Sequence, residues 1–143
     1  MTDFRPEDSL GYLVNRSARL MAAALSRRLQ NHGVAIGQWA VLLFLYQKDG
    51  LNQAELSRHV AIEPPTMVRT LDRMVRDGLV ERRPDPRDAR VARIYLTGRA
   101  LKLREDLLAE ARTVNAGVSE ALGEARVDEL KDDLRALIAA LEP

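Results

Sequence analysis

Cysteine is absent from this 143-residue chain, which excludes disulfides, a thiol redox switch and cysteine-held metal. Histidine is nearly absent too. His32 and His59 stand alone, far apart and without a cluster of ligating side chains, so no metal site is expected. No uncharged apolar run is long enough to cross a bilayer, and no secretory leader stands at the start; a soluble, cytoplasmic protein with no membrane partner is expected. No G-x-S-x-G or comparable nucleophile setting occurs, and no glycine-rich phosphate loop. Carboxylates are plentiful, but they fall mainly on the polar faces of helical patterns, where solubility accounts for them. Neither an enzyme nor a cofactor is expected. Net charge is also close to nil, at +1, and by itself says little about an anionic partner.

What is present is a chain 46% apolar, enough for the core of a single domain spanning residues 1–143. Its charge is unevenly spread. Residues 55–93 carry nine basic and seven acidic side chains, whereas residues 97–143 carry seven basic and ten acidic ones. The excess is small, so local geometry must carry any grip on nucleic acid.

The organising stretch is Leu51 to Thr97, LNQAELSRHVAIEPPTMVRTLDRMVRDGLVERRPDPRDARVARIYLT. Asn52 is a strong N-cap, and Glu55 can reach back as in a capping box, which starts a short helix. Ala61, Ile62 and Glu63 make the connection, with Ile62 available as a buried plug. Pro64 and Pro65 suit only a first helical turn, and Gly78 suits the position just past a helix end, so a second helix spans the interval. Helical periodicity gathers Met67, Val68, Leu71, Met74 and Val75 on an inward side. Pro65, Thr66, Arg69, Arg73 and Arg76 gather on the other, with Thr70 at its margin. A hydroxyl followed by arginines suits a major groove, because arginine bonds guanine edges bidentately. Taken alone, the same face is more simply that of a solvated helix.

The residues after the helix decide between these readings. Residues 79–83 and 91–96 read as paired strands, joined by residues 84–90, whose prolines and aspartates force a turn. Arg82, Arg83, Arg87, Arg90 and Arg93 cluster on this hairpin. A projecting basic hairpin beside a helix-turn-helix is a wing, suited to the narrow, electronegative minor groove. Asp88 faces the wrong way in charge for a phosphate contact and is expected to orient a wing arginine.

At this point the stretch resembles the winged helix of MarR-family transcriptional regulators, most closely their SlyA-type branch. The residues that carry the likeness are IEPPTMVRTLDRMVRDGLVERR and DPRDARVARIYLT, in which Asp88-Ala89-Arg90 matches the family's D-x-R signature. The likeness reaches outward over roughly residues 10–141. The chain departs from the pattern at Leu96-Thr97, which runs straight into Gly98-Arg99 where the family usually has two more residues. Lack of cysteine also sets it apart from the family's peroxide sensors. The expected fold is mainly α with a small β-hairpin wing: a winged helix-turn-helix at residues 37–97 and a helical dimerisation region at residues 8–33 and 98–142.

The flanks support that division. Met1 to Glu7 lack periodicity and read as a loose arm. A helix from Asp8 or Ser9 carries Leu10, Leu13, Val14, Leu20, Met21 and Leu25 at helical spacing, ending near residues 31–33. The run from about Gly37 to Lys48 is almost wholly apolar and should be buried on most sides. Thr97 can cap a long helix that Gly123 breaks, and a last helix carries Val127, Leu130, Leu134, Leu137, Ile138 and Leu141. Such stripes exceed what one small winged helix can cover, so they are read as a homodimer interface, with packing onto the core as the alternative.

The resemblance implies an obligate two-fold dimer binding double-stranded DNA at a pseudo-palindromic site, more often as repressor than activator. It also implies a pocket for a small aromatic acid or phenolic effector where the dimer helices meet the winged domain. Arg16, Arg19 and Trp39 are its candidate residues, although Trp39 is more simply explained as core and the arginines as solvated or paired with acids. The rival function is a winged-helix protein-interaction module that does not bind DNA. It would need an exposed apolar patch on the second helix of the motif, which Thr66, Arg69 and Arg73 argue against.

Overall fold

The computed structural model describes residues 3–143; Met1 and Thr2, part of the expected arm, lie outside them. The rest of that arm is more ordered than its lack of periodicity suggests. Proline at the first position starts a 3-10 turn at Pro6–Asp8, and Arg5 lies 3.4 Å from Glu7. Helices α1 (Leu10–Leu29), α2 (Ile36–Gln47), α3 (Gln53–Val60) and α4 (Pro64–Arg76) follow. Strands β1 (Val80–Pro84) and β2 (Ala92–Leu96) form an antiparallel hairpin, and α5 (Gly98–Leu122) and α6 (Glu124–Leu141) complete the chain. The architecture is the expected one, mainly helical with a two-stranded wing.

The local signals act as their chemistry requires. The Asn52 side chain accepts from the Glu55 backbone N–H at 2.8 Å and starts α3. Ala61 closes that helix in the left-handed region at φ 59°, releasing the chain toward Pro64. Gly78, at φ 72°, turns the chain from α4 into β1. Thr97 Oγ1 accepts from the Ala100 N–H at 3.2 Å, so α5 begins directly at Gly98 without any added residues.

Helix α2 is the floor, with Val41, Leu42 and Leu45 inaccessible to solvent. Leu56 of α3, Met67, Leu71 and Met74 of α4, and Ile94 of β2 pack with it in one core. A large side chain buried this fully stabilises the fold by about 1.5–3 kcal/mol. Leu107 and Ala100 tie the first half of α5 to the same core. Val68 and Val75, expected inward, instead stand 37% and 40% exposed. Positions 67, 71 and 74 fill the inward stripe, and 68 and 75 lie about a quarter of a turn around.

Helix α6 buries no residue at all. Its Leu130, Leu134, Ile138 and Leu141 are open to solvent in the single chain, as are Leu10, Leu13 and Leu20 on α1. The alternative in which both terminal helices fold onto the core therefore applies only to the first half of α5.

Candidate nucleic-acid interface

The site is assembled from α4 and the hairpin beside it. Pro65, Thr66, Arg69, Arg73 and Arg76 are all exposed, and Thr70 is half-buried at the margin of that face. Arg69 Nη2 donates to Thr66 Oγ1 at 3.3 Å, a contact along one helix face that leaves the guanidinium otherwise open. Among the described residues, Arg69, Arg73 and Arg87 have no acidic partner. These cations are free to meet an anionic ligand.

Other arginines hold the wing. Arg82 on β1 lies 2.6 Å from Asp72 of α4 and also donates to the Val68 carbonyl, bolting the hairpin to the helix. Asp72 lies between Val68 and Val75 along the helix and holds the Arg82 guanidinium there. Arg83 and Arg93 face each other across the strands, a like-charge pair that is destabilising unless each charge is answered. Arg83 packs 4.4 Å over the Tyr95 ring and bonds Glu81. Arg93 bonds Asp85 and donates to the Gly50 carbonyl at 2.8 Å. Arg93, expected as a wing contact, is thus turned toward the α2–α3 loop, held between the Asp85 carboxylate and the Gly50 carbonyl.

The tip is organised by two aspartates. Asp85 Oδ1 accepts from the backbone N–H groups of Arg87 and Asp88, at 2.7 and 3.2 Å. The Arg87 N–H first, then the Arg93 side chain and, more weakly, the Asp88 N–H hold its carboxyl below the usual range. Asp88 grips Arg90 through its backbone N–H and with a fork from Nε and Nη2, at 3.0 and 3.2 Å, which likewise depresses the Asp88 pKa. Arg90 remains 91% exposed despite that pairing. Asp88 thus bonds a wing arginine, Arg90. Asp85 marked a turn in the sequence but not its hold on Arg93, and Asp49, which accepts from the Leu96 N–H out of the α2–α3 loop, carries no distinguishing sequence signal.

A second feature lies between α1, α2 and α5. A cleft of about 480 Å³ is walled by Met21, Leu25, Ile36, Trp39 and Leu108, with Arg112 on its rim. Trp39 is there, as expected, while forming part of the core cluster. Arg16 and Arg19 do not line the cleft. They lie on the exposed N-terminal half of α1, more than a helical turn before Met21 in Arg16's case. The cation the cleft does have, Arg112, comes from α5, far away in sequence.

The histidines have ordinary settings. His59 stacks on Phe44 with ring centroids 5.0 Å apart, and His32 lies 3.5 Å from Glu110. Among the described residues no group of His, Asp or Glu is arranged to hold a metal, and no helix is long and apolar enough to cross a membrane.

The sequence profile of the MarR family matches residues 35–92. Over 110 residues the chain is 34% identical to an uncharacterized HTH-type transcriptional regulator, YwoH, of Bacillus subtilis, covering 69% of this chain and 80% of that protein. Its fold is similar to that of S. aureus MepR, solved as a DNA complex, with a TM-score of 0.85 at 24% identity, covering 93% of this chain and 98% of that one. It is also similar to CouR from Rhodococcus jostii RHA1, solved bound to p-coumaroyl-CoA, with a TM-score of 0.84 at 21% identity over 99% of both chains.

Proposed function

The chain belongs to the MarR family, and from that premise we propose that it is a homodimeric, sequence-specific DNA-binding transcriptional regulator. The observation that carries this reading is the division of labour among the arginines. Arg69 and Arg73 are open on the outer face of α4, and Arg87 and Arg90 project from a wing that other arginines hold rigid. On this reading Pro65 and Thr66 meet the phosphate backbone near the α4 N-terminus, Arg69 and Arg73 read base edges, and Thr70 packs at the groove wall. Arg87 and Arg90 enter the adjacent minor groove. Arg93 and Asp88 act on DNA through the wing they hold.

Residues 37–97 then form the reading unit, and residues 8–33 with 98–142 the dimerisation unit. The uncovered stripes of α1 and α6 supply the surface that a second copy would bury. Two-fold symmetry puts the paired reading helices about one DNA turn apart, so the operator is a pseudo-palindrome. The dimer acts in the cytoplasm as a steric repressor, and within the family we assign it to the SlyA-type branch on its helix and wing sequence. An aromatic acid or phenol in the α1–α2–α5 cleft, stacked on Trp39 with its anion toward Arg112, would favour a dimer whose helices no longer match the DNA. The binding of p-coumaroyl-CoA by a protein of similar fold supports that effector class.

The deciding experiment is selection from a fluorescent duplex library combined with a salt titration. Enrichment of a pseudo-palindrome, with affinity falling steeply as salt rises, is the expected result. A flat salt response without enrichment would turn the assignment toward a protein-interaction module. The effector proposal is abandoned if Trp39→Phe leaves release of DNA by such a ligand unchanged.

A further inference from the structure

Gln38 is one of the few buried polar side chains, 6% exposed, in a core otherwise apolar. Both ends of its amide are bonded. Oε1 accepts from the Ala35 backbone N–H at 3.0 Å, at the start of α2, and Nε2 donates to Asp77 Oδ2 at 2.8 Å. Asp77 is the residue that ends α4. The bond to Gln38 is the main reason its carboxyl lies below the usual range. A single side chain therefore joins the first turn of α2 to the last turn of the reading helix, across 39 residues of sequence.

The same corner is gripped from α5. Arg99 donates to the Asp77 carbonyl, and Thr97 Oγ1 donates to the Gly78 carbonyl at 2.6 Å. Ile36 and Trp39, on either side of Gln38 in the first turn of α2, are walls of the cleft. The turn thus faces the cleft with two apolar side chains and holds α4 with the polar one between them. A hydrogen bond is directional where an apolar contact can slide, so displacement of this turn is passed to the α4 corner. Met67, Leu71 and Met74 seat α4 in the core, so a shift of its C-terminal corner would tilt the helix and with it the outer face that carries Thr66, Arg69 and Arg73.

We propose that Gln38 is a positioning residue that sets the angle of the reading helix and couples it to occupancy of the α1–α2–α5 cleft. The proposal rests on the reading of α4 as the helix that reads DNA. It needs no contact between Gln38 and either DNA or ligand.

The test uses the full chain, the duplex enriched by the unaltered protein, and temperatures well below every variant's unfolding. Gln38→Leu is expected to weaken DNA binding about tenfold, the scale of one hydrogen bond to a charged group. Gln38→Glu, which sets two carboxylates together, should weaken it further. Adding Asp77→Asn to Gln38→Glu reverses the bond's polarity, since the new carboxylate can accept from both Ala35 and the new amide. That pair should return to within about threefold of the unaltered affinity. Ala111 of α5 and Ala22 of α1 also line the cleft; filling it by Ala111→Phe or Ala22→Leu should weaken DNA binding when Gln38 is present and add nothing in the Gln38→Leu chain. The proposal is overturned if Gln38→Leu binds the duplex as tightly as the unaltered chain, if the swapped pair is no better than Gln38→Glu alone, or if cleft filling has the same effect in both backgrounds. Failure of the unaltered protein to bind any duplex would overturn the DNA reading itself, a different result from these.

Discussion

Replacing Gly50 by alanine tests how the wing is seated. Gly50 is buried at φ 76°, in the left-handed region, and the added Cβ would come 2.9 Å from the Tyr95 ring. Ordinary carbon contacts lie at about 3.5–4.0 Å, so the ring must move. That ring also carries Arg83 stacked on its face, and its room to retreat is limited. The left-handed backbone costs a non-glycine residue about 1–2 kcal/mol, and overpacking of a tight site about 1–3 kcal/mol. Alanine's smaller unfolded-state entropy offsets about 0.4–1 kcal/mol of this. The expected net loss is about 2–4 kcal/mol. Urea unfolding at one fixed protein concentration measures it, because the stability of a dimer depends on concentration. In a Tyr95→Ala background the contact vanishes and Gly50→Ala should cost only about 1 kcal/mol, the backbone share. Equal costs in the two backgrounds, or a loss below about 0.5 kcal/mol in the unaltered chain, would refute the steric reasoning.

Further outcomes separate the arginines by role. Arg69→Ala should lose about 1–3 kcal/mol of binding and relax base choice in the enriched sequences, whereas Arg90→Ala weakens binding with less change in preference. Indistinguishable selection profiles for the two would remove that assignment. Arg87→Ala should lower the salt slope of DNA binding by about 1 without changing thermal stability. Arg93→Ala should do the reverse, lowering the melting temperature because Asp85, only 10% exposed, is left without its cation. Burial pushes the Tyr46 hydroxyl up to about 12 from 10.0. Its folded-state value is raised, so the stability linked to the proton is full below pH 10 and is lost as pH rises toward 12. Tyr46→Phe should remove that alkaline decline, at a neutral-pH loss of about 1 kcal/mol for the bond to the Ala100 carbonyl. An unchanged alkaline profile would show that another group titrates there.

Most of the fold and much of the candidate site were legible in the residues themselves, because the signals are local. Asn52 caps by reaching three residues ahead, Pro64 and Pro65 start a helix with the backbone angle they already possess, and Gly78 ends it by adopting an angle other residues resist. Asp88 finds Arg90 two residues away. Periodicity likewise marked Met67, Leu71 and Met74 as core, but it could not say how wide the covered stripe is, and Val68 and Val75 fell outside it. Which arginine is free and which is a strut was beyond the sequence. Arg82 and Arg93 read as wing cations like Arg87, and only Asp72 on another helix and the Gly50 carbonyl, 43 residues from Arg93, distinguish them. The cleft shows the same limit. Arg16 and Arg19 share a helix with its wall yet miss it, and α5 brings in Arg112. Gln38 resembles any helix-starting glutamine until α4 ends beside it and Asp77 takes its amide. Caps, turns and periodicity depend on neighbours a few residues away along the chain, so the sequence determined them. Charge pairing and the walls of a cavity depend on distances across space, and tertiary packing alone set those.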